Sequence, residues 1–194
     1  MDNVNISTMP SGIHCGVNCQ GMPTDHGIKE LPDLVNQLQP IQRIFKVPNH
    51  VKQSNLEAYE PKLVSIGPYH FGELQLQPME THKRRAQDIF VERSKLTINY
   101  YKVEMKEVLD TLKESYADLD HVLWSDEDKF INQIILDGCF LIAFLCEPLS
   151  FFKQHAIDHD VLMQDLVMVD NQLPYFALEK LLTTSGKVIS YTLT

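Results

Sequence analysis

The stretch that decides the fold is Phe130 to Cys146, which reads FINQIILDGCFLIAFLC. From Ile134 onward it is apolar nearly all round, a pattern typical of a helix at the centre of a core or of a membrane span. Because Asn132, Gln133 and Asp137 interrupt it, the uninterrupted apolar run is shorter than the about 20 residues that a bilayer requires. The stretch therefore predicts a buried central helix, mostly covered from Ile134 onward.

Both ends of this helix carry boundary signals. Ser125 is predicted as the N-cap, and three acidic residues, 126–128, follow it in the first turn. Carboxylates there stabilise the positive end of the helix dipole. At the other end, Glu147-Pro148 is predicted to end the helix, because the residue before a proline is disfavoured in helical geometry.

The chain before the central helix begins without apolar periodicity. Residues 1–27 are rich in Gly, Asn, Ser, Thr and Pro, which predicts a disordered leader. Residues 28–39 carry apolar side chains at helical spacing, and Pro40 closes that short helix. Residues 44–48 and 59–70 contain prolines and a glycine, so we expect an ordered, extended or strand-like segment there.

Longer helices follow this extended segment. Pro78 suits a first turn, and a helix is predicted to start at Met79. The clearest amphipathic stripe is Ile98, Tyr101, Met105, Val108, Leu112, Tyr116 and Leu119. Further helices are expected over 161–169 and from Pro174 onward. The fold class is therefore mainly α: a single irregular helical domain over residues 28–194, with a central buried helix and a short extended segment before the long helices.

Composition narrows the classes of function. The 194 residues carry a net charge of −9, which argues against a nucleic-acid partner bound through its phosphates. Four cysteines and no visible secretory signal indicate a reducing compartment, so we expect a cytoplasmic chain. The sequence has no Gly-rich phosphate loop, nucleophile elbow or dinucleotide fingerprint. We therefore expect no enzymatic activity and no cofactor.

Two groups of residues could in principle bind a metal. One is His14, Cys15, Cys19 and His26 in the leader, whose spacing fits no established zinc finger. The other is the pair His155 and His159, which would share one face of a helix but lack the acidic residue of a metalloprotease. In both cases a structure without metal is the preferred interpretation.

Asp137 is the most informative ionisable residue, because a carboxylate in an apolar helix is costly unless it is paired. We expect a donor side chain to pin it to the core, with Arg84, Arg85, Tyr69 and His70 as the candidates. The alternative is a general acid or base with a raised pKa. An enzyme would gather Asp137, His70 and Asn171 around one pocket.

Other polar positions favour structural roles. Asn171 and Gln172 are expected to cap the following helix and to satisfy loop carbonyls, and Pro174 to fix the turn. Gly67-Pro68 predicts a rigid turn that presents Tyr69 and His70. Cys139, inside the apolar helix, is expected to be an inert thiol. Residues 82–85, His-Lys-Arg-Arg, indicate a solvated helix face.

Three motifs in order carry a resemblance to a known family. They are Val64 to His70 (VSIGPYH), Leu136 to Leu141 (LDGCFL) and Asp165 to Phe176 (DLVMVDNQLPYF). Together they resemble the plant family called domain of unknown function 247, or uncharacterised protein family 0481, over roughly Ile41 to Leu182. Asp170 departs from the glutamate that the family tends to place before Asn-Gln.

The resemblance implies a longer protein with a hydrophobic C-terminal segment that anchors it to a membrane, so this chain is similar to an N-terminal part or a shortened member. Some relatives are associated with cell recognition, including self-incompatibility in grasses. We therefore expect a non-enzymatic interaction or recognition module with an unidentified protein partner. The motif or structural candidates are Ser65, Gly67, Pro68, Tyr69, His70, Asp137, Gly138, Cys139, Phe140, Asp170, Asn171, Gln172 and Pro174.

The end of the chain raises a separate expectation. Gly186 is predicted to end the last helix, and residues 187–194 form a strand-like apolar run. An unpaired apolar strand promotes association. We expect an exposed apolar surface near Leu178, Leu182 and Ile189.

Overall fold

The computed structural model describes residues 43–146 and 157–186, all of which belong to one compact unit, Ile41–Thr194. Several predictions fall outside these described residues. They are the leader with its cysteines and histidines, the helix over 28–39, the helix end at 147–148, His155 and the strand-like run 187–194.

The described residues form a mainly α fold. The helices are α1 (Asn49–Lys52), α2 (Leu56–Tyr59), α3 (Gln77–Ser94), α4 (Ile98–Lys106), α5 (Leu109–Glu114), α6 (Glu127–Cys146), α7 (His159–Leu166) and α8 (Tyr175–Thr184). A single 3₁₀ turn, Leu74–Leu76, leads into α3. The extended segment makes one isolated parallel bridge, between Ile44 and Tyr116, and no β-sheet forms within the described ranges.

Helix α6 is the centre of the structure, as predicted. It packs against α3, α4 and α8. Between Phe130 and Phe144 every residue is buried except Asn132, which is exposed, and Leu136, Leu141 and Ala143, which are partly buried. Burial thus begins a turn before Ile134. The last turn differs from the prediction, because Leu145 is 66% exposed.

The N-cap of α6 is Asp126 and not Ser125. The Asp126 carboxylate accepts a hydrogen bond from the Lys129 backbone N–H at 3.1 Å. The Ser125 hydroxyl instead donates to the Val122 carbonyl at 2.9 Å, in the preceding turn. Serine and aspartate are both good N-caps. Here the preceding turn engages the Ser125 hydroxyl, so Asp126 caps the helix.

Among the described helices, α6 also has the length and apolar composition of a membrane span. The uninterrupted apolar run had indicated a segment too short for that. Most of the apolar stretch is nevertheless buried inside the protein.

The long amphipathic stripe is divided between two helices. Helix α4 ends at Lys106, α5 begins at Leu109, and Val108 leaves helical geometry with φ −113° and ψ 13°. Tyr116 and Leu119 lie beyond α5 but are buried in the same core. Tyr116 is outside a helix because it pairs with Ile44. The spacing therefore identified the core residues correctly and overestimated the helix.

Helix α8 lies close to α6 at Gly138. A Cβ on Gly138 would lie 2.4 Å from Leu181 Cδ1, so any larger residue there would require the Leu181 side chain to move. Gly186, at φ +71°, follows α8 as predicted. The expected exposed surface is wrong at Leu182, which is 7% exposed and belongs to the core; Leu178 is partly buried against the core.

We predict that Ile134→Ala lowers the free energy of unfolding by about 2–5 kcal/mol, through lost apolar transfer and the cavity left in the core. Ile134 is fully buried. Leu145→Ala, in the exposed last turn of the same helix, is the matched control and should change stability by less than about 0.5 kcal/mol. Urea unfolding followed by circular dichroism measures both, and equal losses would remove α6 from the centre of the core.

Candidate functional site: a buried polar network around residues 62–70

The segment from Lys62 to His70 is largely buried, yet it belongs to no helix or sheet. Its backbone N–H and C=O groups therefore need partners from elsewhere, since unpaired buried groups are costly. Side chains of α6 and of the chain around α7 supply them. We call Asp137, Asp165, Asp170 and Asn171, together with the backbone they bind, the buried polar network.

Asp165 holds the start of this segment. Its carboxylate accepts hydrogen bonds from three consecutive backbone N–H groups, those of Lys62 at 3.0 Å, Leu63 at 2.7 Å and Val64 at 2.8 Å. Asp165 is fully buried. It was not among the predicted site residues, although it opens the third family motif. Its place on the apolar face of α7, beside Leu162, was the available signal.

Asn171 holds the middle of the segment. Its Oδ1 accepts from the Ile66 N–H at 2.6 Å, and its Nδ2 donates to the carbonyls of Val64 and Asp165 at 3.0 and 2.9 Å. The predicted bonds to loop carbonyls are therefore confirmed, but Asn171 does not cap α8, whose N-cap is Pro174 without a side-chain bond. An asparagine suits this place because it both donates and accepts.

Asp137 holds the turn at Gly67. It is fully buried, and its carboxylate accepts from the Gly67 N–H at 2.8 Å and from Gln133 Nε2 at 3.0 Å. Lys83 Nζ lies 2.7 Å from Asp137 Oδ1. Burial raises the pKa of Asp137, while the charge of Lys83 and these hydrogen bonds oppose the rise. The expected hydrogen-bonded Asp137 is confirmed.

Lys83 completes this ion pair and was missed by sequence reasoning. It is fully buried, and its ammonium group also contacts Glu80 Oε1 at 2.7 Å and Ser65 Oγ at 3.3 Å. Burial lowers the pKa of Lys83, but the charges of Asp137 and Glu80 outweigh it, so that the pKa is raised. Three partners match the three protons of an ammonium group.

Two predictions are thereby corrected. The side-chain donors to Asp137 are Lys83 and Gln133, not Arg84, Arg85, Tyr69 or His70. The solvated face expected for residues 82–85 does not include Lys83. The missed signal is helical spacing, because Lys83 falls in the buried stripe of α3 with Met79, Ala86 and Phe90.

The backbone geometry at Gly67 leaves no room for a side chain. Its φ is +75°, and a Cβ there would lie 2.6 Å from the backbone oxygen of Gln172. The Tyr116 hydroxyl donates to that same oxygen at 3.2 Å. Gln172 thus contributes its backbone, while its side chain is exposed. The predicted rigid turn is present, with Pro68 buried beside it.

Tyr69 and His70, which follow the turn, point inward to structural partners. The Tyr69 hydroxyl donates to the Ile44 carbonyl at 2.9 Å, tying down the extended segment. The His70 ring lies between two carboxylates, with Nδ1 2.8 Å from Glu73 and Nε2 3.2 Å from Asp170. His70 is only 2% exposed, so it is not presented to solvent.

Asp170 joins three parts of the chain. Its Oδ2 accepts from the Val47 N–H at 3.0 Å and lies 3.1 Å from Lys52 Nζ, and its Oδ1 faces His70. Burial raises the pKa of Asp170. The hydrogen bonds from His70, the Val47 N–H and Lys52, with the electrostatic effect of His70, outweigh burial and lower the pKa to about 2. The carboxylate is therefore an ionised link between α1 and the motif loop.

The motif residues of α6 complete the core. Gly138, Cys139 and Phe140 are all buried. Burial and the neighbouring Asp137 raise the pKa of the Cys139 thiol, which favours its neutral, unreactive form. Within the described residues, no group of three or more His, Cys, Asp or Glu side chains is placed to hold a metal ion.

The enzyme alternative required Asp137, His70 and Asn171 around one pocket. Each has its own partners. None of the three lines either of two clefts on the described surface. One cleft, of about 430 Å³, lies between α3 and α6. The other, of about 300 Å³, lies between α2 and the residues that end α7.

We predict that Asp137→Ala lowers the free energy of unfolding by about 1–3 kcal/mol, because it leaves the buried Gly67 N–H without its acceptor and removes one of the two carboxylates that contact Lys83. The control is Asp88→Ala, an exposed acidic residue on α3, expected within about 0.5 kcal/mol of wild type. Urea unfolding compares them. A wild-type midpoint for Asp137→Ala would show that the pair does not hold the loop.

We predict a pH-dependent loss of stability from Asp170. Its folded pKa, about 2, lies below the unfolded value, so its contribution is present above about pH 4 and is lost as the pH falls towards 2. Asp170→Asn should therefore be destabilised by about 2 kcal/mol or more at pH 7, with a gap that narrows between pH 4 and 2. Unfolding at stepped pH measures this, with exposed Asp110→Asn as control; a constant gap would contradict it.

The comparisons with known proteins agree with the motifs. Residues 44–192 match the model of a family described as plant protein of unknown function, DUF247. UPF0481 protein At3g47200 of Arabidopsis thaliana is 33% identical over 150 residues, which cover 71% of this chain and 30% of that protein. Putative UPF0481 protein At3g02645, from the same plant, is 28% identical over 147 residues, which cover 72% and 26%.

The matched region is thus less than a third of the length of these curated relatives. No solved structure matches the chain. Since the family model covers more than half of the residues, and includes the turn at Gly67, Asp137 and the Asp170-Asn171 pair, the chain belongs to the DUF247 family of plant proteins of unknown function.

Proposed function

We propose that this chain is a non-enzymatic interaction module of a plant protein. The observation that supports it most is that the polar side chains of the family motifs bind backbone within the domain. Asp137, Asp165 and Asn171 direct their polar atoms to the backbone of residues 62–67, where they hold a loop in place. Residues engaged in this way give the domain a fixed surface and leave little for chemistry on a substrate.

An enzyme that uses a buried Asp137 site is the second candidate. The raised pKa of Asp137 favours it, since general acids and bases often have such shifts. Its geometry is unfavourable, because the carboxylate is fully buried and already binds Lys83, Gln133 and the Gly67 N–H. A substrate would have to displace these partners. The interaction module therefore explains more of the structure.

The surface supports a protein as the partner. The cleft between α2 and the end of α7 is lined in part by Tyr59, Met168 and two exposed valines, Val167 and Val169. These valines are 68% and 61% exposed. Apolar side chains gathered beside a cleft are typical of protein-binding surfaces. The net charge of −9 disfavours nucleic acid.

The family resemblance also supports a biological role and a location. A role in cell recognition or signalling would suit a module of this kind. We place the chain itself in the cytoplasm, with membrane contact only through the C-terminal anchor expected of longer family members.

Affinity capture from plant tissue tests the proposal. The double variant Val167→Glu, Val169→Glu should lose the proteins that the wild-type chain retains, because two charges would be desolvated at the interface. Val122→Glu, at an 87% exposed position between α5 and α6, is the matched control and should retain them. Turnover of a substrate by the purified chain, abolished in a folded Asp137→Asn variant, would establish the enzyme instead.

A further inference from the structure

We propose that the cleft between α3 and α6 binds a neutral sugar unit, a single pyranose ring. This inference goes beyond the proposed protein contact, which uses the cleft between α2 and the end of α7. The cleft between α3 and α6, about 430 Å³, falls within the size range of small-molecule sites. The lining residues that carry the inference are Phe71, Gln77, Arg84, Asn132, Gln133 and Leu136.

The charges in and beside this cleft balance one another. Four carboxylates and four cations lie there: Glu80, Asp126, Asp128 and Asp137, and Lys83, Arg84, Lys106 and Lys129. Lys83 lies 2.7 Å from both Glu80 and Asp137, and Lys106 lies 2.8 Å from Asp128. An ionic ligand would lose water without meeting a surplus of the opposite charge, which is costly. The lining therefore favours a neutral ligand.

A buried carboxamide offers the cleft an acceptor. Gln133 is 6% exposed, and its Nε2 donates to both oxygens of Asp137 at 3.0 Å. Its Oε1 accepts no hydrogen bond from the residues that the structure describes. Among those residues, the enclosed side-chain atom without a partner is the Tyr101 hydroxyl, so the Gln133 oxygen is not enclosed and opens into the cleft that Gln133 lines. A ligand hydroxyl can donate to this oxygen.

Further polar groups surround the same space. The carboxamides of Gln77, on α3, and Asn132, on α6, are exposed and line the cleft. A carboxamide donates through its nitrogen and accepts through its oxygen, and a hydroxyl also does both. Arg84 adds several N–H donors from α3. The hydroxyls of one sugar ring can bind groups on both helices at once, whereas a single polar side chain from a partner would reach few of them.

Apolar side chains complete the lining. Phe71 and Leu136 are partly exposed there. The Trp124 ring centroid and Lys129 Nζ lie 4.8 Å and 5.2 Å from the Phe71 ring centroid, so this ring is held in place. The C–H groups on the faces of a pyranose are apolar and can pack against such side chains, while the hydroxyls at its rim reach the carboxamides. A ring with apolar faces and a hydroxylated rim matches this arrangement.

Titration with simple sugars tests the cleft. At least one of methyl β-D-glucopyranoside, methyl β-D-galactopyranoside and methyl α-D-mannopyranoside should cause saturable shifts of the backbone amides of Glu80, Asn132 and Gln133 in the ¹⁵N-labelled chain. Tetrahydropyran-2-methanol keeps the ring but lacks the ring hydroxyls. It should bind at least about tenfold more weakly, because polar groups of the cleft would be left unpaired. No saturable shift with any glycoside, or equal binding of this control, would overturn the proposal.

Charged and peptide probes test the class of ligand. Glucosamine and glucuronate carry opposite charges, and neither should bind more tightly than the best neutral glycoside, since the charges around the cleft are balanced. Acetyl-glutamine-amide represents a polar side chain of a partner protein and should bind more weakly. Tighter binding of any of these three probes would rule out a neutral sugar as the ligand.

Variants locate the binding. Asn132→Trp fills the cleft from an exposed position and should abolish the shifts, whereas Glu179→Trp, at an exposed position on α8, should leave them unchanged. Gln133→Met removes the acceptor and should weaken the sugar by about tenfold. If Gln133→Met disturbs the fold, the two tryptophan variants decide, and sugar binding that survives Asn132→Trp would contradict the proposal. Partner capture by the valine variant concerns the other cleft, so the two proposals can fail independently.

Discussion

The structure depends on hydrogen-bond partners for a stretch of buried backbone that lies outside any helix or sheet. Residues 62–67 cross the interior of a helical domain, and their N–H groups find acceptors on the side chains of Asp165, Asn171 and Asp137. Each of these side chains is itself fully or almost fully buried. An unmade bond at any of them would leave a polar group without water or partner, which is costly. This requirement couples the loop, α6 and α7 into one unit.

The Lys83–Asp137 ion pair positions the loop, and this role matters more than its contribution to stability. A buried ion pair is often no more stabilising than apolar residues of the same volume. Here the carboxylate also binds the Gly67 N–H, and the ammonium also binds Ser65 and Glu80. The pair thus fixes where the loop lies on α3 and α6. A well-packed apolar pair could fill the volume but would leave the Gly67 N–H without an acceptor.

The family motifs acquire a physical meaning from this network. The motif around Gly67 supplies the backbone that is held, and Gly67 itself allows the close approach of the Gln172 carbonyl. The other two motifs supply the side chains that hold it, Asp137 from α6 and Asn171 after α7. Three distant pieces of sequence therefore describe one structural feature.

Local pattern by itself determined the central helix, the mainly α class and the core positions of the Ile98–Leu119 stripe, because apolar periodicity reports which faces are buried. Tertiary structure decided what pattern cannot encode: that Asp126 rather than Ser125 caps α6, that the stripe breaks at Val108, and that Lys83 lies inside. Lys83, in a run of basic residues, resembles a solvated position. Its burial is favourable because Asp137, 54 residues later in the chain, and Glu80 both contact its ammonium group. Pairings between distant residues arise from the packing of whole helices, so neither member alone reveals them.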